Sequence, residues 1–186
     1  YYTSLEEAVA AATAGDTVKV IRNIDLASTL MIAKGKEITL DLNGKTITGT
    51  DSNEKGSFYL INNTGNLTIT GNGTITLKAK NDRDWNASSV VVANNPGGKL
   101  TVESGTIKHL GGTDMAYAID NLTNGKGTYA ETIINGGTIV SPYRAIRQFL
   151  NGTDAQNILT INGGIIEGAN KAVWAQDPSK AANSGT

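Results

Sequence analysis

The 186-residue chain has no cysteine, a single histidine and almost no net charge, with 16 basic side chains set against 17 acidic ones. The missing cysteines exclude disulfides and thiolate zinc sites, and His109 alone cannot build a histidine-rich metal centre. We expect no metal and no other cofactor. Neither sign of charge gathers into a long block, so no nucleic-acid partner and no anionic membrane surface is indicated. Every apolar run is too short to span a bilayer, which excludes membrane insertion by a long apolar helix. The chain opens at Tyr1 and not at a methionine, and carries no signal peptide, so it reads as a segment of something longer.

What the chain has in abundance is one phrase, an alternating apolar stretch that runs into a glycine turn and leaves through Thr-Ile. It occurs as ITLDLNGKTI (38–47), LTITGNGTI (67–75), LTVESGTI (100–107), ETIINGGTI (131–139) and LTINGGII (159–166). The closing isoleucines Ile47, Ile75, Ile107, Ile139 and Ile166 recur every 27 to 32 residues. A period of that size marks a stacked repeat, in which each copy buries its apolar side against the next. A third apolar stretch follows each phrase: FYLI (58–61), VVVA (90–93), YAID (117–120), AIRQ (145–148) and AVWA (172–175). Three short strands per coil of about 27–32 residues predict a parallel β-helix, each strand pairing with its copy one coil later.

The first segment differs. Ser4 followed by Glu7 matches a capping box, Leu5, Ala8, Val9 and Ala12 recur at helical spacing, and Ala14-Gly15-Asp16 ends the run. Residues 1–15 are therefore expected to form a cap with a helix over 4–14, lying across the open end of coils that occupy 16–186. At the other end, KAANSGT (180–186) stops where a further Leu-Thr-Ile strand would follow, so further coils of the same polypeptide are expected beyond Thr186.

YTSLEEAVAAATAGDTVKVIRNIDL (2–26) resembles the opening segment of right-handed parallel β-helices of the pectin lyase-like superfamily, where a short helix precedes Gly-Asp-Thr and the first strand. Asp16 and Thr17 match it, and the Leu-Thr-Ile-x-Gly-Gly repeats are similar to coils of large bacterial surface proteins. The resemblance implies an all-β, right-handed, single-stranded parallel β-helix. It implies little about activity, because lyases, hydrolases, phage spikes and adhesins share these structural motifs. No stretch of this chain matches a catalytic signature of the superfamily's polysaccharide-acting enzymes.

Two places could carry function. Asp82-Arg83-Asp84-Trp85 sits in the longest loop (78–89), where Asp84 and Trp85 could meet a sugar with a carboxylate and a flat apolar face; the plainer alternative is a solvated loop. Aligning the third strands at a spacing of 27 stacks Ile119, Ile146 and Val173 as an inward ladder and puts Asp120, Arg147 and Trp174 on the outward face. That column could bind carbohydrate, with Arg147 pairing with Asp120 and stacking on Trp174, and with Tyr143, Arg144 and Lys171 nearby. The plainer alternative is a cross-strand ion pair with an aromatic shielding the sheet. His109, beside Lys108 at a strand end, reads as structural, and Asn43, Asn135 and Asn162 as turn formers.

The expectation is a non-catalytic extracellular or cell-surface segment of a bacterial protein, a stiff stalk or adhesin, with a polysaccharide or cell-surface glycan as its partner. A polysaccharide lyase or glycoside hydrolase domain is the first alternative, and a phage fibre or tailspike the second.

Overall fold

The structure, a computed structural model, describes residues 1–52, 56–79, 87–111 and 115–177. It is an all-β parallel solenoid of about 5 coils with one short helix at the N-terminus. The helix, α1 (Leu5–Ala11), is shorter than the sequence suggested. Ser4 caps its start, its Oγ accepting from the Glu7 amide at 3.1 Å. The Glu7 carboxylate turns back on the same turn, where Thr3 Oγ1 donates to its Oε2 at 2.6 Å. The helix stops because Ala12 is extended, and Asp16 Oδ2 accepts from both the Thr13 amide (2.7 Å) and the Thr13 hydroxyl (2.8 Å). Those bonds hold the Asp16 carboxyl below its ordinary range. Lys36 closes the helix from below, its Nζ donating to the carbonyls of Ala10 (3.0 Å) and Ala12 (2.6 Å).

The strands follow in triplets. The first rung is β1 (Asp16–Lys19), β2 (Ile24–Leu26) and β3 (Leu30–Ile32); the second is β4 (Glu37–Asp41), β5 (Thr46–Asp51) and β6 (Phe58–Asn63). The third is β7 (Asn66–Thr70), β8 (Thr74–Ala79) and β9 (Ser89–Asn94), and the fourth β10 (Lys99–Val102), β11 (Thr106–Leu110) and β12 (Ala116–Asn124). The fifth is β13 (Tyr129–Ile134), β14 (Thr138–Ser141) and β15 (Arg144–Asn151), and the last β16 (Gln156–Ile161), β17 (Ile165–Gly168) and β18 (Lys171–Gln176). First, second and third members of the rungs stack into three six-stranded parallel sheets, here A, B and C.

The repeat's own isoleucines set the register. Ile24, Ile47, Ile75, Ile107, Ile139 and Ile166 pair in succession down sheet B, and the four from Ile47 to Ile139 are completely buried. Each such side chain contributes about 1.5–3 kcal/mol of burial free energy. Sheet C stacks Leu30, Ile61, Val92, Ile119, Ile146 and Val173 in the same way. Ile119 and Ile146 are sealed, but Val173, expected to be buried, is 38% exposed, because it belongs to the last described rung and no described strand stacks on it. Leu5 and Val9 of α1 join this same core at the first rung.

The glycines of the phrase have a steric cause. Gly71, Gly105, Gly137 and Gly164 all have positive φ (84° to 94°) in the turn from sheet A to sheet B. A Cβ on Gly105 would lie 2.7 Å from the Gly71 carbonyl oxygen, and one on Gly137 2.6 Å from that of Gly105. Conformation and close stacking each demand glycine there.

A second ladder runs through the interior. Asn63, Asn94 and Asn121 occupy one column of sheet C, followed by Gln148. Asn63 Nδ2 donates to Asn94 Oδ1 (2.8 Å), Asn94 Nδ2 to Asn121 Oδ1 (2.9 Å), and Asn121 Nδ2 to Gln148 Oε1 (2.6 Å). The same amides reach the backbone carbonyls of Lys99, Glu131 and Ile158, tying the ends of the sheet C strands to sheet A two rungs on. Thr132 takes a place that Leu67 and Leu100 fill in earlier rungs, and its hydroxyl accepts from Asn94 at 3.2 Å. The three asparagines are fully buried, so this fold depends on their bonds being made.

Candidate functional site

Strict alternation breaks at one point in sheet C, and the break shapes its outer face. Leu60 and Ile61, Val91 and Val92, Ala118 and Ile119, and Ala145 and Ile146 are adjacent pairs whose members all enter the core. The residues flanking each pair are left on the outside. Tyr59, Val90, Tyr117, Arg144 and Lys171 form one outer column, and Asn62, Ala93, Asp120, Arg147 and Trp174 the other. Val90, Ala93 and Tyr117 are buried as a small apolar cluster of their own, with Tyr59 and Trp174 packed against it.

Asp120, Arg147 and Trp174 stack as the spacing of 27 indicated. Arg147 Nε donates to Asp120 Oδ1 at 2.8 Å, and its Nη2 to Oδ2 at 2.5 Å, a bidentate pair. Facing outward from the core does not make the pair accessible: Asp120 is 0% exposed and Arg147 7%. Burial pulls the guanidinium toward its neutral form, but the Asp120 charge and its two bonds outweigh that and hold Arg147 more firmly protonated than a free arginine. The expected stacking of Arg147 on Trp174 is replaced by contacts with other rings. Its guanidinium lies 4.5 Å from the Tyr117 ring centre and 5.1 Å from that of Phe149, because the two bonds to Asp120 draw it toward the preceding rung. Arg144 takes the place on Trp174, at 3.8 Å, with Tyr143 at 4.6 Å on another side and the Tyr117 hydroxyl 3.4 Å from its Nη1. Tyr117 and Trp174 stack near-parallel, with centroids 6.4 Å apart.

The outer face therefore has two parts. A closed part is the buried pair of Asp120 and Arg147, with the guanidinium over the equally buried Tyr117 ring. An accessible part on the last two rungs presents Tyr143, Arg144 and Trp174, each half-buried, and the exposed Lys171. Burial raises the phenol of Tyr59, with the Asp120 charge adding to it; burial also raises that of Tyr117, against the opposing charge of Arg147. Asp84 and Trp85 lie outside the described residues. Tyr117 is the member that alternation concealed; its signal is the same spacing of 27, which aligns Tyr117 with Arg144 and Lys171.

His109 is structural in form. It is buried, its Nε2 3.0 Å from Ser89 Oγ and its Nδ1 accepting from the Gly111 amide at 3.0 Å. Ser89 Oγ donates to Asp51 Oδ2 at 2.7 Å, so Nε2 must carry the proton and donate to the serine. That direction is the reverse of a base activating a serine, since the hydroxyl hydrogen points at the carboxylate and not at the imidazole.

Among the described residues no three of His, Cys, Asp and Glu converge to hold a metal ion. No helix among the described residues is long and apolar enough to cross a membrane. A groove of about 740 Å³ opens at the first rung between α1 and β1 and β2, lined by residues that include Leu5, Ala8, Val18, Val20 and Ile24. It lies at the opposite end of the stack from Trp174. Comparison with protein-family models, with curated proteins and with solved structures gives no match.

Proposed function

We propose that the chain is a rigid, non-catalytic segment of an extracellular bacterial surface protein, a stalk or adhesin. The observation that supports it is one core running unbroken through three six-stranded parallel sheets and reinforced by the buried asparagine ladder. In such a stack length is set by rung number and bending requires ladder bonds to break, which is the mechanics of a spacer. The likeness of residues 2–26 to the pectin lyase-like superfamily, and of the repeats to bacterial surface proteins, supports the same reading.

Rigidity is directly measurable. The absence of native cysteine lets spin labels be placed on cysteines introduced at Thr17 and Thr160, which share one column of sheet A five rungs apart. At about 4.8 Å per rung the backbones are ~24 Å apart. A narrow distance distribution around that value supports the spacer; a broad one defeats it.

A second part of the proposal is that the stalk binds a glycan. It is favoured by the accessible Trp174 and Tyr143, whose flat faces suit a sugar ring. Trp174→Ala should remove retention on a glycan array, and unchanged retention would return the indole to packing. Release of new ends from a panel of polysaccharides would instead favour an enzyme.

A further inference from the structure

We propose that the outer face of sheet B carries a further binding site, for a phosphate-bearing polyol chain, centred on Thr76 between Lys78 and Lys108. It does not rely on the glycan reading of sheet C.

The register sets these two lysines apart. On the outer face of sheet A, Lys19 and Lys99 each have a carboxylate as register partner, Asp41 at 4.0 Å and Glu131 at 3.2 Å. On sheet B the partners of Lys78 are Thr50 and Leu110, and those of Lys108 are Thr76 and Val140. Both lysines are exposed, and among the described residues neither forms an ion pair. Asp25 and Glu167 share the column of Lys108 but stand two or more rungs from it, and Asp51 is buried on Ser89. Positive charge is therefore in local excess on this face, although the chain as a whole carries −1.

Thr76 supplies a second, independent observation. Ile75 and Leu77 on either side of it are completely buried, so alternation turns Thr76 outward. Yet it is only 8% exposed, and its Oγ1 has no hydrogen-bond partner. It pairs with Lys108 and stands two positions from Lys78 on one strand, so it lies between the two stems. With rungs ~4.8 Å apart and alternate residues ~6.6 Å apart, the Cα atoms of the lysines are about 8 Å from one another. Their flexible four-carbon stems close that gap on a shared anion. A turn of the Thr76 side chain to another staggered well then presents its hydroxyl in place of its methyl, and the orphaned group gains a partner.

The same geometry selects the anion and its carrier. Lysines are point charges without a planar fork, and the hydroxyls of Thr50, Thr76 and Thr106 beside them offer donors from several directions. That suits a tetrahedral phosphate better than a flat carboxylate. Thr46, Thr74 and Thr106 continue as one column, a row of donors and acceptors for the hydroxyls of a polyol. Two cations are too few for the dense charge of a nucleic acid.

The test is calorimetric titration of the whole chain with a glycerol phosphate oligomer, at low and high salt. Polyglycerol of the same length, inorganic phosphate and a single-stranded oligonucleotide of equal charge are the comparisons. The phosphate oligomer should bind at least tenfold tighter than any of them, and more weakly as salt rises. Lys78→Gln and Lys108→Gln, both on exposed residues, should each cut that binding about fivefold or more. Thr76→Val keeps the shape and removes the orphaned hydroxyl, so it should weaken binding about threefold with a urea midpoint equal or higher. A purely structural threonine would not give that combination. Trp174→Ala should leave the phosphate oligomer bound as before, so failure here and failure of the glycan reading are separately visible. Polyglycerol binding as tightly as the oligomer would overturn the anion, and inorganic phosphate doing so would overturn the polyol. An oligonucleotide binding as tightly or better would overturn the carrier. Oligomer binding that survives both lysine changes would overturn the residues, and binding of no probe would overturn the site.

Discussion

Removing the Arg147 guanidinium tests most sharply what holds the outer face together. In Arg147→Met the Asp120 carboxylate, 0% exposed, loses both of its bonds to that guanidinium, at 2.8 and 2.5 Å. Leaving one member of a buried pair uncompensated costs about 3–5 kcal/mol. Loss of the contacts over Tyr117 and Phe149 adds ~0.5–1 kcal/mol each, offset in part by methionine's own packing. Against a total stability of about 5–15 kcal/mol that is a large share. The double variant Asp120→Leu with Arg147→Met should recover most of it, to within ~1–2 kcal/mol of the parent, because nothing charged is then left buried. Urea unfolding followed by circular dichroism reads both. With a slope of about 2 kcal/mol per molar, a 4 kcal/mol loss lowers the midpoint by about 2 M, with the slope unchanged. High salt should restore little, since a buried pair is poorly screened. A single variant within ~1 kcal/mol of the parent, or a double variant no better than the single, would refute the claim that the pair is sealed and mutually dependent.

Other expectations follow from the same structure. Asn94→Ala removes the middle of the asparagine ladder and orphans acceptors on Asn121 and Glu131, so it should cost ~2–5 kcal/mol, whereas Asn95→Ala, whose bond to Asn62 lies on the outer face, should cost under ~1; equal losses in urea midpoints would refute the distinction. Ser4→Ala should destabilise by about 1 kcal/mol through its lost bond to the Glu7 amide, measured by the same unfolding curves, with no loss contradicting the cap. The phenols of Tyr59 and Tyr117 are raised by burial in the folded state, so their contribution is fully present below the ordinary tyrosine pKa near ~10 and falls as pH climbs above it. Absorbance titration should show them ionising above the ordinary tyrosine range, with stability declining over the same interval; ionisation at the ordinary pH, with the fold intact, would be the contrary result.

Much of the architecture can be read along the chain because a solenoid writes its tertiary contacts as a sequence period. Ile47, Ile75, Ile107, Ile139 and Ile166 are equivalent letters in the phrase and pair directly in space. The stacking of Asp120, Arg147 and Trp174 follows from the same spacing. Alternation misled where the strand turns, since a bend with two adjacent inward residues leaves Tyr117 outside beside Asp120. Asparagines were read as turn formers, which fits Asn43 at φ 48° and misses Asn63, Asn94 and Asn121, identical letters doing interior work.

By itself, then, the sequence determined the stacked parallel coils, their three strands per rung, the glycine turns and the pairing columns. These depend on which residues are copies of one another, and copies are visible in one dimension. Only the tertiary structure decided which outward residues meet solvent, that Arg147 is locked to Asp120 beside the Tyr117 ring, and that Arg144 lies on Trp174. Exposure and ring contacts depend on what neighbouring rungs place over a side chain, and a register names the neighbour without saying which way its side chain falls.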